Sequence, residues 1–553
     1  MLPRLSIHNG PRRFQELKLS GLDLRPGAAE GSLRQTQNLS LEDAPVLRPR
    51  APRQLLGSLT APGGLYALDA LYWVDGTTLY RDGTAAATLS TAGQKRFAAL
   101  GRRLVIFPDK LLYDPAAGTV SPLERTVSTE CTFADGTYAG EAAEANTILA
   151  ADPSFDWASS FRPGDAVSIS GAAAAENNRS LIVREIAGPA LRFYEFSFTL
   201  DSVPRTLTLC RSVPDLDWLC ACDNRLWGCK GDTVYASKLG DPFNWNVFDG
   251  LASDSWAVSA GSAGDFTGCC AYLGYPCFFK EEQICKVYGS RPANFELLSS
   301  ATRGTAAGAG ASFAVADETL FYLSRSGVAA YGGGVPTDVG AVFAGQRFSA
   351  GAAGSDGLRY YVSLRDEAGW GLYCFDPVHS LWVREDGTQA LAFAFWDGAL
   401  HCLDAEGRIW RFGGPAEPEE PEEPEPDGED GDPLGGEAAP PEAETDPDAP
   451  GPETVESVAE FNDFAEGRFD RKSLTRLLLR LELEAGAELG IAVQYDSDGV
   501  WQDLIELSAP VRRSCLVPVL PRRCDHYRLR LVGRGLWRLL GLARESRIES
   551  ALR

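Results

Sequence analysis

The 553 residues of the chain suffice for roughly two to four domains, and 44% hydrophobic with 10% aromatic residues are ample for packed cores despite a net charge of −24. No run of about 18 apolar residues occurs, and the N-terminus MLPRLSIHNGPRRF lacks an apolar signal core, so we expect neither a membrane-spanning helix nor a secretory signal. We therefore expect folding in a cytoplasm. No domain is basic enough to indicate sequence-specific nucleic-acid binding.

Residues 1–55 contain few alternating apolar runs and are rich in proline and arginine. Two interpretations of this N-terminal segment stay open. It is either an extended arm that lies along the first sheet, or an arm whose Arg48, Arg50 and Arg53 reach a neighbouring subunit or DNA.

Residues 56–125 and 211–414 repeat one hairpin device, and the 57 glycines and 34 prolines favour an all-β chain with many turns. In Cys222–Phe248 the run NRLWGC, a Gly-Asp turn and the run TVYASK lead into the turn GDPFNW. Comparable units are Ala70–Gly83, Arg102–Gly118, Glu318–Gly333, Gly371–Gly387 and Phe395–Gly414. Repetition at intervals of tens of residues predicts a β-propeller of about six to seven blades, in two parts.

Residues 126–210 interrupt these repeats with short strands whose sequence pattern differs from that of the hairpins. Turns are indicated at Pro163-Gly164-Asp165 and at Asn177-Asn178, where tandem asparagine suits a backbone with positive φ. This segment predicts a small β-barrel or sandwich inserted into the propeller.

Residues 415–454 are a Pro/Glu tract that cannot bury apolar surface, and they predict a disordered interdomain linker. Glu417–Glu453 contains 16 acidic residues and no Lys or Arg, so removing it from the net charge of −24 leaves only −8. Residues 455–553 predict a C-terminal β-sandwich of jelly-roll type, because HYRLRLVG alternates strictly and AELGIAVQYDSDGVW has the pattern of a hairpin. A helix over LTRLLLRLELE is the alternative.

Thirteen cysteines raise the question of a metal site. Their spacings C-x-C-x6-C and CC-x6-C-x7-C do not match a paired CxxC zinc site, and they favour core thiols, with metal ligation and disulfides as the alternatives. The seven cysteines concerned are Cys220, Cys222, Cys229, Cys269, Cys270, Cys277 and Cys285.

Other residues capable of chemistry have structural interpretations. His8, His379, His401 and His526 show no metal-like spacing and no nucleophile elbow. Asp241 is interpreted as a turn initiator. Asp496 and Asp498 are interpreted as residues of a hairpin turn rather than as a calcium site or a glycosidase pair. The loop Thr302–Ala311 lacks the Gly-Lys-Ser/Thr end of a phosphate cradle. The tryptophans favour packing between blades over a sugar groove; they are Trp73, Trp227, Trp245, Trp382, Trp396 and Trp410. No catalytic, cofactor or metal-binding residue is predicted, and the chain is expected not to be an enzyme.

Several stretches resemble phage tail and head–tail connector propellers of the tail-nozzle or packaged-DNA-stabilisation type. They are GLDLRPGAAEGSLRQTQNLSLEDAPVLRPR, GDTVYASKLGDPFNWNVF, GDFTGCCAYLGYPCFFKEEQICKVYGSRPANFELLSS and ETLFYLSRSGVAAYGG. The stretch RRSCLVPVLPRRCDHYRLRLVGRG is similar to modules on such virion proteins. The acidic linker and a detached C-terminal sandwich depart from this pattern.

The resemblance implies a structural subunit of the virion tail, assembled in the bacterial host cytoplasm. Its partners would be further copies in a ring, other tail or connector proteins, and genomic DNA that passes through the channel without sequence-specific contacts. Two alternatives stay open: a glycan-binding or glycosidase protein of a tail fibre or cell surface, and a cellular β-propeller interaction scaffold.

Overall fold

The computed structural model describes residues 10–137, 143–194, 197–349, 351–413, 455–467 and 471–548. Within these ranges the regular secondary structure is almost entirely β-strand, apart from four single-turn 3-10 helices at Trp157–Ser159, Ala175–Asn177, Pro292–Asn294 and Ala341–Phe343. No helix of the described ranges is long and apolar enough to cross a membrane. The predicted acidic linker, 415–454, lies outside the described residues.

Seven antiparallel sheets of four strands form a β-propeller, which confirms the predicted fold class. We call the sheets blades 1–7 and their strands a–d, and the a strands contact one another between blades 2 and 3, 3 and 4, 5 and 6, 6 and 7, and 7 and 1. Blades 1–3 are Pro62–Ala67, Leu71–Asp75, Thr78–Arg81 and Thr84–Thr88; Arg96–Leu100, Arg103–Phe107, Leu111–Asp114 and Thr119–Pro122; Trp218–Cys222, Arg225–Lys230, Thr233–Ala236 and Trp256–Ser259. Blades 4 and 5 are Gly268–Tyr272, Tyr275–Lys280, Gln283–Tyr288 and Glu296–Ala301; Ala314–Ala316, Thr319–Ser324, Gly327–Tyr331 and Thr337–Asp338. Blades 6 and 7 are Gly351–Ser355, Tyr360–Asp366, Gly369–Asp376 and Leu381–Asp386; Ala390–Trp396, Ala399–Asp404, Arg408–Arg411 and Gln54–Ser58.

The ring is closed by a strand from the other end of the sequence. Strand d of blade 7 is Gln54–Ser58, which pairs antiparallel with Arg408–Arg411. Blade 7 then packs on blade 1, where Leu403 and Leu65 share one hydrophobic cluster. Neighbouring blades elsewhere approach so closely that a Cβ added to Gly354 of blade 6 would lie 2.3 Å from Cβ of Phe393 in blade 7. Closure therefore leaves no unpaired sheet edge at the junction of the two chain ends.

A six-stranded closed barrel is inserted between blades 2 and 3. Its strands are Arg125–Gly136, Glu144–Ala150, Ala166–Ser170, Ser180–Ala187, Ala190–Phe193 and Arg205–Arg211. The barrel has its own core, in which Trp157 is fully buried. It docks on the loop GDPFNW of blade 3 through Asp165, which accepts a hydrogen bond from Asn244 of that loop at 3.0 Å. Within the barrel, Arg211 donates a second hydrogen bond to Asp165.

The C-terminal module is a sandwich of two five-stranded sheets, and each sheet takes one strand from the N-terminal segment. The first sheet contains Arg12–Glu16, Trp537–Ile548, Lys472–Leu483, Val511–Val517 and Arg523–Cys524. The second contains Leu33–Gln37, Glu456–Phe461, Tyr527–Arg534, Glu488–Tyr495 and Gln502–Leu507. The predicted sandwich is present, and LTRLLLRLELE is a strand rather than a helix because alternate leucines face the core. A small hairpin, Leu39–Ser40 with Arg48–Pro49, follows the second N-terminal strand.

Residues 12–58 therefore supply strands to the sandwich and to blade 7, and this corrects the interpretation of the segment as an arm along the first blade. Arg50 and Arg53 are buried against Glu385 and Asp386 of blade 6, with 2.6 Å between Arg53 Nη2 and Glu385 Oε2. Burial alone would lower the pKa of Arg53, but the two adjacent carboxylates raise it above its ordinary value. Arginines held in this way do not face DNA.

The sandwich is not detached from the propeller. Leu19 and Leu47 of the N-terminal segment, Val383 of blade 6, Leu400 of blade 7 and Leu529 of the sandwich belong to one continuous hydrophobic cluster. A module that shares its core with two blades is held against them, because that apolar surface would otherwise face water. Sequence alternation cannot show such sharing.

The burial of His401 in blade 7 can be tested through the pH dependence of stability. Burial lowers the pKa of His401 below its ordinary value of 6.5. Well above pH 6.5 the imidazole is neutral in both states, whereas near and below that pH the unfolded chain binds a proton that the folded chain does not. We expect melting temperature to fall more steeply between about pH 7.5 and about pH 5.5 in the native chain than in His401→Gln. Equal pH dependence of the melting temperature in the two chains would contradict the burial of a neutral His401.

Candidate functional site

The two ends of the propeller differ in character. The b–c turns and the connections between blades meet at one end, which we call the charged end. Ion pairs at this end join a turn to its own or a neighbouring blade; they include Lys95 with Asp109, Lys230 with Asp217, Lys280 with Asp232, and Arg325 with Glu282. The a–b and c–d turns at the opposite end expose apolar side chains instead: Leu239, Phe248, Leu251, Leu273, Val335, Leu358 and Val378.

Two of the ion pairs at the charged end lower the pKa of their carboxylates, those of Asp109 and Asp232. Burial opposes the ionisation of Asp109, yet hydrogen bonds from Lys95 and Thr91 bring its pKa below the ordinary value. A hydrogen bond from Lys280 likewise lowers the pKa of Asp232. These pairs tie neighbouring segments together and fix the positions of the turns between them.

A depression of about 710 Å³ opens at the charged end between blades 4, 5 and 6. Every lining segment is a b–c turn or the approach to the next a strand, as expected for that end. The lining residues are Glu281, Glu282, Ala301, Thr302, Arg303, Arg325, Ser326, Gly345 and Arg347. Its volume lies within the range of small-molecule sites, about 300–1,000 Å³.

Arg303 is the most firmly positioned of the three arginines. The backbone N–H groups on either side of it, from Thr302 and Gly304, donate to the carbonyls of Glu282 at 3.1 Å and Glu281 at 3.0 Å. Gly304 is required there, because an added Cβ would lie 1.9 Å from the Lys280 carbonyl oxygen. Buried Tyr322 donates its hydroxyl to the Arg303 carbonyl at 2.6 Å. The guanidinium is therefore carried on a rigid backbone.

The depression brings together donors and acceptors. Arg325 pairs with Glu282 at 2.9 Å, and the Arg303 guanidinium contacts the Ser326 hydroxyl at 3.4 Å. Arg303 and Arg347 form no ion pair within the described residues. Three guanidinium groups against two carboxylates leave a local excess of positive charge on a chain whose net charge is −24.

The histidines and aspartates considered in the sequence lie apart from this depression. His379 contacts Asp376 at 2.9 Å in a turn of blade 6, His401 is buried in blade 7, and His526 contacts the Ser497 hydroxyl at 2.8 Å. His8 lies outside the described residues. Asp241 accepts a hydrogen bond from the Phe243 N–H at 3.0 Å, as a turn initiator does.

Asp496 and Asp498 stand in the turn between two sandwich strands. Asp496 has φ of 49° and accepts the Asp525 N–H at 2.6 Å, whereas Asp498 accepts the Val500 N–H at 2.9 Å and contacts Arg522. Each carboxylate is thus engaged in holding the loop. No group of three or more metal-binding side chains was found among the described residues.

The tryptophans and cysteines pack mainly inside and between blades. Trp227, Trp245 and Trp382 are fully buried, while Trp73, Trp396 and Trp410 are half-buried. All thirteen cysteines are free thiols. Burial raises the pKa of Cys285 to about 11 and that of Cys277 to about 12, so both are protonated near neutral pH.

Comparisons with known proteins give matches of structure alone. No protein-family model matches the chain, and no curated protein matches it in sequence. Similar solved structures include BamB from Moraxella catarrhalis, at 11% identity and a TM-score of 0.33, covering 66% of this chain and 98% of that one. An auxiliary nutrient binding protein from Bacteroides thetaiotaomicron follows at 11% identity and a TM-score of 0.23, covering 66% and 97%. An exo-β-1,3-galactanase from Phanerochaete chrysosporium follows at 9% identity and a TM-score of 0.20, covering 58% and 92%.

These matches correct one expectation. The expectation that the chain is not an enzyme is withdrawn, because an exo-β-1,3-galactanase stands among the similar structures. None of the three proteins named is a phage tail or connector protein. With TM-scores this low, the matches assign no substrate or activity to the chain.

Proposed function

We propose that the propeller binds an acidic glycan in the arginine-lined depression of the charged end. The observation that carries this proposal is the meeting of three arginines with two glutamates and two hydroxyls in one depression. Arginine binds a sugar carboxylate in a bidentate manner, and glutamate and serine accept or donate to ring hydroxyls. A bare polyphosphate fits less well, since it offers no hydroxyl donors to Glu281 and Glu282, whose carboxylates would then only repel it.

Loss of the guanidinium groups tests the proposal. A glycan array containing acidic and neutral oligosaccharides identifies the ligand, and calorimetry measures its affinity. Because a hydrogen bond to a charged group contributes about 1.5–3 kcal/mol, we expect Arg303→Ala or Arg347→Ala to weaken binding by roughly tenfold to a hundredfold. Arg102→Ala, an exposed arginine at the opposite end of the ring, is the matched control.

Further readouts sharpen the assay. Affinity is expected to fall with added salt, because screening weakens exposed charge interactions. The release of reducing ends is measured in the same samples to detect glycoside hydrolysis, because that reaction requires a pair of carboxylates and the depression contains Glu281 and Glu282. Binding to neutral glycans alone, or full affinity in both arginine variants, would contradict an acidic ligand.

The virion-subunit interpretation stays a prediction. Ring formation by further copies would be visible by electron microscopy of the purified chain or of phage particles. A strictly monomeric species under all assembly conditions counts against it.

A further inference from the structure

The sandwich exposes leucines on one short segment. Leu520, at the tip of the loop Pro518–Pro521, has 87% of its surface exposed, and Leu516 on the preceding strand has 54% exposed. The next residue after Leu516, Val517, is buried in the sandwich core, and Val519 packs partly against that core. The backbone of the loop is thus anchored while its leucine projects into solvent.

The same segment reverses the charge of the chain. Arg512, Arg513, Arg522 and Arg523 lie within residues 511–524, which contain no Asp or Glu, although the chain carries −24. All four arginines are exposed. Two lie before the loop Pro518–Pro521 and two after it, so the apolar tip is flanked by cations on both sides.

Strand register places part of this apolar and basic surface on one face. Leu516 lies opposite Leu478 and Arg512 lies opposite Glu482 on the outward side of the first sandwich sheet. Arg522 is held near the loop by Asp498 at 3.3 Å. Arg513 forms no ion pair within the described residues. Only part of the positive charge is therefore neutralised by the chain itself.

We propose that the loop Pro518–Pro521 and its four flanking arginines bind the surface of an anionic lipid bilayer. Exposed leucine beside arginine is the combination that favours the membrane interface, where the apolar tip enters the acyl boundary and the guanidinium groups meet lipid phosphates and carboxylates. Prolines at both ends of the loop limit the conformational freedom lost on binding. The chain lies on the membrane by this contact and is not inserted across it.

Vesicle flotation tests the proposal with the full chain. Vesicles of phosphatidylcholine with phosphatidylserine are compared with vesicles of phosphatidylcholine alone, at low and at high salt. The chain is expected to float with the anionic vesicles only, and less at high salt. Arg512→Glu with Arg513→Glu is expected to lower partitioning by more than about twenty-fold, since each cation near the surface contributes about fivefold. Leu520→Asp is expected to abolish flotation.

The matched control is Val335→Asp, an 81% exposed apolar residue on the propeller, which should float like the native chain. Unchanged melting curves establish that each variant is folded. Equal binding to both vesicle types, or full binding by Leu520→Asp, overturns the proposal. So does a concentration-dependent dimer that Leu520→Asp disrupts without any flotation of the native chain, because the loop then serves a second copy. Glycan binding in the propeller depression is measured separately and need not change in any of these variants.

Discussion

A chain that begins at Thr60 is expected to lose both the closed propeller and the sandwich. Its blade 7 would lack strand Gln54–Ser58, and each sandwich sheet would lack one strand. Buried Arg544 would lose Glu16, at 3.0 Å, and Glu30, at 2.9 Å, and Glu385 would lose Arg53. Breaking one buried pair costs about 3–5 kcal/mol, so two such losses approach the entire stability of a typical domain, about 5–15 kcal/mol.

Circular dichroism melting and limited proteolysis measure this effect. The shortened chain should lack a cooperative transition, and its blade 7 should be cleaved rapidly. Adding residues 10–59 as a separate peptide should restore part of the protection, because the missing strands pair through backbone hydrogen bonds. A chain that begins at Gly10 is the control. Cooperative melting of the shortened chain at the native temperature would show that the N-terminal strands are dispensable.

Asp165→Ala is expected to loosen the inserted barrel from the propeller and to lower stability by about 3–5 kcal/mol. The Asp165 and Arg211 side chains are only 1% and 6% exposed, so the variant leaves a buried guanidinium without its carboxylate. Asn244 would lose its 3.0 Å bond to Asp165 at the same time. Denaturant unfolding gives the stability change, and hydrogen exchange should rise in the loop GDPFNW.

Asp201→Ala in the same barrel provides the comparison. Asp201 pairs with Arg205 at the surface, where the two side chains are 24% and 48% exposed. Exposed pairs contribute at most about 1 kcal/mol, so this variant should be nearly neutral. If the two variants lowered stability equally, the buried contact would not be what holds the barrel in place.

The propeller was accessible from sequence because its signal is local and repeated. Turn residues such as Asp223-Asn224 and Asp397-Gly398 adopt positive φ, and the alternating runs between them determine the strands. The barrel insertion was visible as a change in that local pattern. These features require only neighbouring residues to be known.

The candidate site was not predicted, although its three arginines can be read directly from the sequence. Arg303, Arg325 and Arg347 come from three different connections, separated by about twenty residues each. Only the arrangement of successive blades around the propeller axis brings these three arginines together in one depression. The single available signal was that each arginine lies in a b–c turn or between blades, the positions that a propeller gathers at one end.

By itself, the sequence determined the all-β class, the repeated hairpins, the inserted barrel and the sandwich strands, because alternation and turn chemistry act over a few residues. The tertiary structure alone decided that residues 12–58 complete the sandwich and close the ring. Those pairings join residues at least 350 positions apart. Strand pairing over that distance depends on backbone hydrogen bonds and shared burial, and no local sequence pattern identifies the partner strand.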